Sequence, residues 1–506
     1  MKNNITPISG RPTMTIYIDA HDCHYEVQRL CTMFLRGERA PLAFGAPGEG
    51  EERFLYTGRA ERDGKAILTV RARLGGSEVH RQRELPLPSG KQECERAFGQ
   101  MIYELLVPMT GIRPPWGILT GIRPVKLFRA RLDAGESGQE VLRYFCDGLY
   151  LSEEKARLAL QTAQVQRPIL RGSAPGLFSL YVSIPFCPSR CRYCSFVSHS
   201  IEQAAGLIEP YLELLERELA LTAQKARESS LRLHSVYFGG GTPTTLSAAQ
   251  LDRLCAAVAE NFDLGGVKEY TVEAGRPDTI TAEKLAVLRK AGVDRISVNP
   301  QTLQDEVLAA AGRNHTAQQT LDAFGLARQA GFPCINMDLI AGLQGDTPQG
   351  FADTLERVIA LRPQNITVHA LSVKRSAALG GHAGEVLTAS PAAEMVALSA
   401  RLLIGAGYHP YYLYRQKDTV ENLENTGWCL PGYESAYNIH IMDESQTILA
   451  CGAGGVTKLC RPRGAGAQEI TRIFNYKYPY EYISRFEQLC ARKEAVVPFF
   501  AGMEKN

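Results

Sequence analysis

The sequence predicts an α/β fold: a partial, TIM-like (β/α)6 barrel with an N-terminal α+β module before it and a C-terminal extension domain after it. Three observations predict this. From Leu180 onward, short apolar runs alternate with helix-length amphipathic segments, a cadence that implies βα units on a parallel sheet. Two helical segments close in the same way, at Ala291-Gly292 and Ala330-Gly331, as a helix C-terminus does. Finally, Cys187, Gly240, Glu273, Gln301 and Asp338 all fall at the downstream ends of apolar runs, where a parallel barrel carries its functional groups.

Taken in order, residues 1–171 read as a separate module. Strand character is expected over 14–19 and 66–72, and an amphipathic helix over 93–106. A short echo follows, Thr110-Gly111-Ile112-Arg113-Pro114 and Thr120-Gly121-Ile122-Arg123-Pro124, whose two arginines could grip an anion or merely sit in structural turns. Residues 130–170 carry a charged, helical pattern. The barrel is expected over 172–375, with strands near 180–186, 235–239, 269–274, 295–300, 334–341 and 365–371. Between them, helices are expected near 207–227, 248–261, 282–291, 317–330 and 351–361. Residues 376–506 open on a Gly-rich loop at 377–384, continue in a helix over 392–406 and reach an aromatic run, Tyr408 to Tyr414. In this region Arg415, Lys417, Lys458 and Arg472 are candidates for holding carboxylates of a substrate. Gly452-Ala453-Gly454-Gly455 could be a phosphate-type turn or a plain loop.

A chain of 506 residues is too long for one domain, and 45% hydrophobic residues suffice for sizeable cores. The net charge of +2 offers no case for nucleic-acid binding. Apolar runs stay below about 18 residues, so neither a membrane span nor an export leader is expected. Thirteen cysteines without a leader point to a reducing, cytoplasmic location.

The densest chemistry lies in Cys187-Pro188-Ser189-Arg190-Cys191-Arg192-Tyr193-Cys194. Three closely spaced thiolates can hold three irons of a 4Fe–4S cluster and leave the fourth iron open to a small molecule. The same thiols with His199 could instead complete a Cys3His zinc tetrahedron. One βα unit later the run Val236-Tyr237-Phe238 ends in Gly239-Gly240-Gly241-Thr242-Pro243, a strand end at which something must approach the backbone closely.

Together, the C-x3-C-x2-C loop and the Gly-rich strand end resemble the radical S-adenosylmethionine (SAM) superfamily. Tyr181-x-x-Ile184-Pro185-Phe186-Cys187 and Asn336-Met337-Asp338-Leu339-Ile340-x-Gly342-Leu343 are similar to oxygen-independent coproporphyrinogen III dehydrogenases, and the extent of the N-terminal region resembles the HemZ-type branch. The resemblance implies a 4Fe–4S cluster on Cys187, Cys191 and Cys194. It also implies SAM contacts from Gly240, Gly241, Thr242, Glu273, Gln301, Arg313 and Asp338, with Tyr181 and Tyr193 bordering the cofactors. Arg313 carries a planar fork suited to a carboxylate. Asp338 interrupts an apolar run, where a carboxylate needs a partner or water. The implied activity is oxidative decarboxylation of two propionates of coproporphyrinogen III to vinyl groups, giving protoporphyrinogen IX, with electrons from a donor such as flavodoxin or ferredoxin. One departure stands out. Phe196 occupies the position of a fourth cysteine, as in the related haem-chaperone branch, so haem binding without dehydrogenase activity is the alternative.

Overall fold

The computed structural model describes residues 13–35, 40–174, 176–194, 199–372, 391–416, 423–463 and 467–501. The chain divides into two compact units, Met1–Leu160 and Gln161–Asn506.

The first unit is α+β. Its strands β1 (Thr15–Asp19), β2 (Leu42–Phe44), β3 (Arg53–Arg62), β4 (Lys65–Leu74) and β5 (Val79–Pro86) form one sheet, with β1 between β2 and β3 and parallel to both. β3 and β4 are joined by Asp63-Gly64, both at positive φ, the two-residue turn whose twist matches an antiparallel hairpin. Alternate residues of β4 are buried, and that face shares a core with the helix Lys91–Thr110 through Phe98, Ile102 and Leu106. The Thr-Gly-Ile-Arg-Pro echo has no structural counterpart. Gly111, at φ 71°, closes the helix Lys91–Thr110, whereas Pro124 opens the helix Pro124–Asp133. Between them Trp116 is buried, and Ile118 donates to the Leu149 carbonyl at 3.0 Å, so the segment is a packed connection.

The second unit carries β6 (Leu177–Ile184), the two-residue β7 (Phe186–Cys187) and β8 (His199–Ser200), β9 (Arg232–Gly240), β10 (Glu269–Glu273), β11 (Arg295–Ser297), β12 (Cys334–Ala341) and β13 (Asn365–Ala370). It continues with β14 (His409–Arg415), β15 (Glu424–Cys429), β16 (Thr447–Cys451), β17 (Val456–Arg463) and β18 (Ala467–Phe474). Eleven of these form one sheet in the order β14-β15-β13-β12-β11-β10-β9-β6-β16-β17-β18. The six expected strands, β6 and β9 to β13, are consecutive and parallel. The expected helices appear as Ile208–Glu228, Ala248–Asn261, Ala282–Lys290, Ala317–Gln329 and Pro348–Ala360. Ser247 with Gln250 and Thr316 with Gln319 form capping boxes that fix two of the helix starts.

The C-terminal residues extend this same sheet at both edges. β15 and β14 add antiparallel strands beyond β13, while β16 lies parallel to β6 and carries the β17–β18 hairpin outward. The loop after β16 is not a phosphate cradle. The Gly452 amide donates to Glu218 Oε2 at 2.7 Å, and the Ala453 amide to the Tyr211 hydroxyl at 2.8 Å. Glu218, fully buried, also pairs with Lys493 at 2.9 Å and accepts from Asn475 and the Tyr482 hydroxyl. The same loop touches the end of β6, where the Ser183 hydroxyl donates to the Ala453 carbonyl at 2.7 Å. Lys458 and Arg472, expected to hold substrate carboxylates, both pair with Glu444 instead.

Candidate active site

Parallel strands end together: the turns after β6, β9, β10 and β11 meet over one end of the sheet, where β12 contributes Asn336, Asp338 and Ile340 from the strand itself. The Gly-rich turn explains how the cysteine loop is held. Gly240 sits at φ 106°, a conformation open to glycine. The Gly241 amide donates to the Ile184 carbonyl at 2.7 Å and the Thr242 amide to the Phe186 carbonyl at 2.8 Å. A Cβ on Gly241 would stand 2.5 Å from the Phe186 oxygen and 2.9 Å from the Ile184 oxygen. The turn thus clamps the backbone that delivers Cys187, and Thr242 Oγ1 stands 3.6 Å from the Cys187 sulfur. Gly241→Ala is expected to push this backbone away at a cost of about 1–3 kcal/mol. Thermal unfolding and iron content after cluster reconstitution would check it, both falling relative to the parent chain.

A cavity of about 420 Å³ opens beside the loop, lined by all three loop cysteines together with Tyr181, Tyr193, Gly240, Gly241, Thr242, Glu273, Gln301, Arg313 and Asp338. Every residue expected at the cofactors therefore faces one space. His199 does not line it: its ring meets Tyr478 and Tyr480 edge-on at 6.1 and 6.3 Å. The Cys3His tetrahedron is thus not assembled, whereas three thiols around an open cavity fit a three-cysteine iron–sulfur cluster.

Electrostatics distinguish the two carboxyls. Burial lifts Glu273 to about 7, against the pull of the Tyr237 hydroxyl, which donates to Glu273 Oε1 at 2.5 Å. Burial also raises Asp338, yet His369, Asn336 and Thr367 outweigh it and hold the group below the ordinary carboxylate value. Asn336 Nδ2 donates to Asp338 Oδ1 at 2.7 Å, and His369 Nε2 lies 3.9 Å from Oδ2. Gln301 holds a φ of 66°, rare for a residue with a side chain. Its amide donates to the Asp338 carbonyl at 2.9 Å and its carbonyl accepts from the Ile340 amide at 3.0 Å, which stitches β11's exit onto β12.

Arg313 does not present its fork to the cavity as a free carboxylate clamp. Its guanidinium donates to the carbonyls of Gly275 and Asn299 at 3.2 Å and to the Tyr193 hydroxyl at 3.2 Å, so it ties the loop after β10 to the cysteine loop. Arg276 went unnoticed in the sequence and does comparable work. It is buried and paired with Asp278 through two contacts of 3.1 Å. It also donates to the Ser189 carbonyl at 3.2 Å and lies 3.8 Å from Cys191 Sγ. The available signal was its place directly after Gly275, three residues beyond Glu273 at the end of β10. The opposite wall is aromatic and polar: Tyr412 and Tyr414 stack at 6.3 Å near Gln416, Asn438 and Met442. Gly427 makes room for the Tyr412 ring, which would collide with any Cβ there.

Comparison with known proteins gives the family and a likeness of fold. Residues 181–358 match the Radical SAM superfamily. The chain is 36% identical over 485 residues to the oxygen-independent coproporphyrinogen-III oxidase-like protein HemZ of Bacillus subtilis, covering 93% of this chain and 94% of that protein. The heme chaperone HemW of Lactococcus lactis is 31% identical over 336 residues, 65% of this chain and 82% of that one. Among solved structures, the radical SAM enzyme coproporphyrinogen III oxidase (HemN) of Escherichia coli aligns with a TM-score of 0.50 and 24% identity. That alignment covers 65% of this chain and 73% of the HemN chain, a likeness of fold.

Proposed function

Since the chain belongs to the HemZ-like family of radical SAM proteins, we propose that it is an oxidoreductase that converts two propionates of coproporphyrinogen III to vinyl groups. The observation that supports this most is the convergence of all twelve expected cofactor residues on one cavity, which Tyr412 and Tyr414 line with apolar ring surface able to pack against the pyrrole rings of a tetrapyrrole. When bound, the 4Fe–4S cluster and SAM supply a carbon-centred radical able to take a hydrogen atom from an unactivated carbon.

The chain's own groups bind and position. Arg276 steadies Cys191 and its loop; Arg313 and Tyr193 fasten that loop to the exit of β10. Glu273 and Asp338 offer carboxylates to the ammonium and ribose hydroxyls of SAM. The raised value of Glu273 means that the folded chain holds the proton more tightly than the unfolded one. Its ionisation therefore costs stability as pH rises from 4.5 to about 7. Pairing with a cation reverses this, so SAM binding is expected to expel a proton and to weaken below pH 7 by up to about tenfold per unit. Equilibrium dialysis across pH checks this: Glu273→Gln should bind SAM less tightly and lose the pH dependence.

A second reading has its own support. Among the described residues, Arg276 and Arg313 are the cavity's only arginines or lysines, and both are engaged with the protein, whereas a tetrapropionate calls for cationic contacts. Lys417 and Phe196 lie outside the described residues. HemW relatives are named heme chaperones, and haem binding without dehydrogenase activity would need no such grip. Anaerobic incubation of the cluster-loaded chain with SAM, reductant and coproporphyrinogen III separates the two readings. Protoporphyrinogen IX is the expected product; stoichiometric haem binding with no porphyrin conversion would favour the carrier.

A further inference from the structure

The geometry points to a second metal site, independent of the cluster, formed by His409, Cys429 and Glu434 and suited to a divalent transition cation such as zinc. His409 begins β14 and is the cross-strand partner of Cys429, the last residue of β15; Glu434 follows five residues later. The ligand atoms of the three converge within 4.8 Å of one another. His409 Nε2 is 2.8 Å from Glu434 Oε1 and 3.3 Å from Cys429 Sγ.

The same imidazole nitrogen faces both partners, and that is the decisive detail. One nitrogen carries at most one hydrogen, which serves either the carboxylate or the sulfur and leaves the other contact without one. In a Cys-His-carboxylate relay the two partners would occupy different ring nitrogens. A cation at the common point satisfies all three. Bonds of about 2.0–2.3 Å at tetrahedral angles give ligand separations of about 3.3–3.6 Å, so the His409–Glu434 side would open by about half an ångström and the His409–Cys429 side by a few tenths, while the Cys429–Glu434 side lies within 4.8 Å. Thiolate, carboxylate and neutral imidazole together balance a divalent charge, and a water can take the fourth position. Cys429 is fully buried while the side chains of His409 and Glu434 keep 18% and 19% exposure, which leaves a path for the ion.

None of the three residues lines the cavity. Cys429 pairs with Asn365 at the start of β13, two residues, or about 7 Å of strand, before Thr367, the first cavity residue on that strand. The ion would pin β14 and β15 to the turn that leads into the helix Ala436–Asp443, so its role is structural.

The test uses the full, cluster-loaded chain, dialysed against zinc and then against metal-free buffer, with zinc and iron measured together. About one zinc per chain is expected beside an unchanged iron content. His409→Gln and Glu434→Gln, both at partly exposed positions, should each lose the zinc and keep the iron. With cobalt(II) in place of zinc, a thiolate-to-cobalt charge-transfer band is expected that disappears in Cys429→Ser, while circular dichroism confirms that this variant is folded. Zinc that dialyses away from the parent chain, zinc content unaltered by the two glutamine variants, or a cobalt band that survives Cys429→Ser would each overturn the assignment.

Discussion

Cys191→Ala is expected to remove the iron–sulfur cluster and reduce SAM cleavage to background. Cys191 is the buried member of the three, its sulfur lies against Arg276, and its carbonyl accepts the Cys194 amide at 3.2 Å, so it sits at the bend of the loop. Two remaining thiolates cannot hold a cubane that leaves one iron open, and roughly four irons per chain should fall to almost none. Cys490→Ala, at a cysteine outside the cavity, should keep the cluster, as should His199→Ala, since that ring packs on tyrosines. Iron and sulfide analysis with visible absorption reads all three variants. Iron retained in Cys191→Ala would remove that residue from the ligand set.

The second large effect concerns stability. Lys493→Met is expected to cost about 3–5 kcal/mol, because it leaves the Glu218 carboxylate buried without its cation. Lys493 also donates to the Ala450 carbonyl at 2.7 Å and to Thr222 at 3.0 Å, so the substitution strands further acceptors. Glu218→Gln should cost a similar amount, since its amide nitrogen would replace either Oε2, which accepts from both the Gly452 amide and the Tyr482 hydroxyl, or Oε1, which faces Lys493 and Asn475. The two losses should not add, for each variant breaks the same pair. Denaturant unfolding of both single variants and the double variant measures this. The network also anchors the loop that meets Ser183 near the end of β6, so these variants should take up cluster less completely.

Much of the barrel was legible because βα units are local: each apolar run and the helix after it announce themselves within about 30 residues. The bounds of β12 and of the helix Ala248–Asn261 match the sequence expectation to the residue. β16 was not legible. Thr447–Cys451 pairs with β6, some 270 residues earlier, and no local periodicity encodes a partner that distant. The same limit hid the fate of Gly452-Ala453-Gly454-Gly455: glycines announce close approach, but that the approaching group is the carboxylate of Glu218 follows only from the packing of the helix Ile208–Glu228. At the site, the three-cysteine loop and the glycine turn stood out by their own spacing, whereas Tyr181, Tyr193, Glu273, Gln301, Arg313 and Asp338 were nominated through the resemblance to the radical SAM superfamily. Arg276 escaped because a lone loop arginine reads as a surface residue until its burial beside Cys191 is seen. Lys458 and Arg472 were misread for the converse reason: their partner Glu444 is remote in sequence from both.

The most direct measurement follows hydrogen from substrate to cofactor. Coproporphyrinogen III deuterated at the propionate β-carbons would be supplied with SAM and reductant to the anaerobic, cluster-loaded chain, and the 5′-deoxyadenosine examined by mass spectrometry. Deuterium in 5′-deoxyadenosine, accompanied by vinyl-bearing porphyrinogen, is the predicted result. Deuterium-free 5′-deoxyadenosine with unchanged coproporphyrinogen would contradict the proposed reaction.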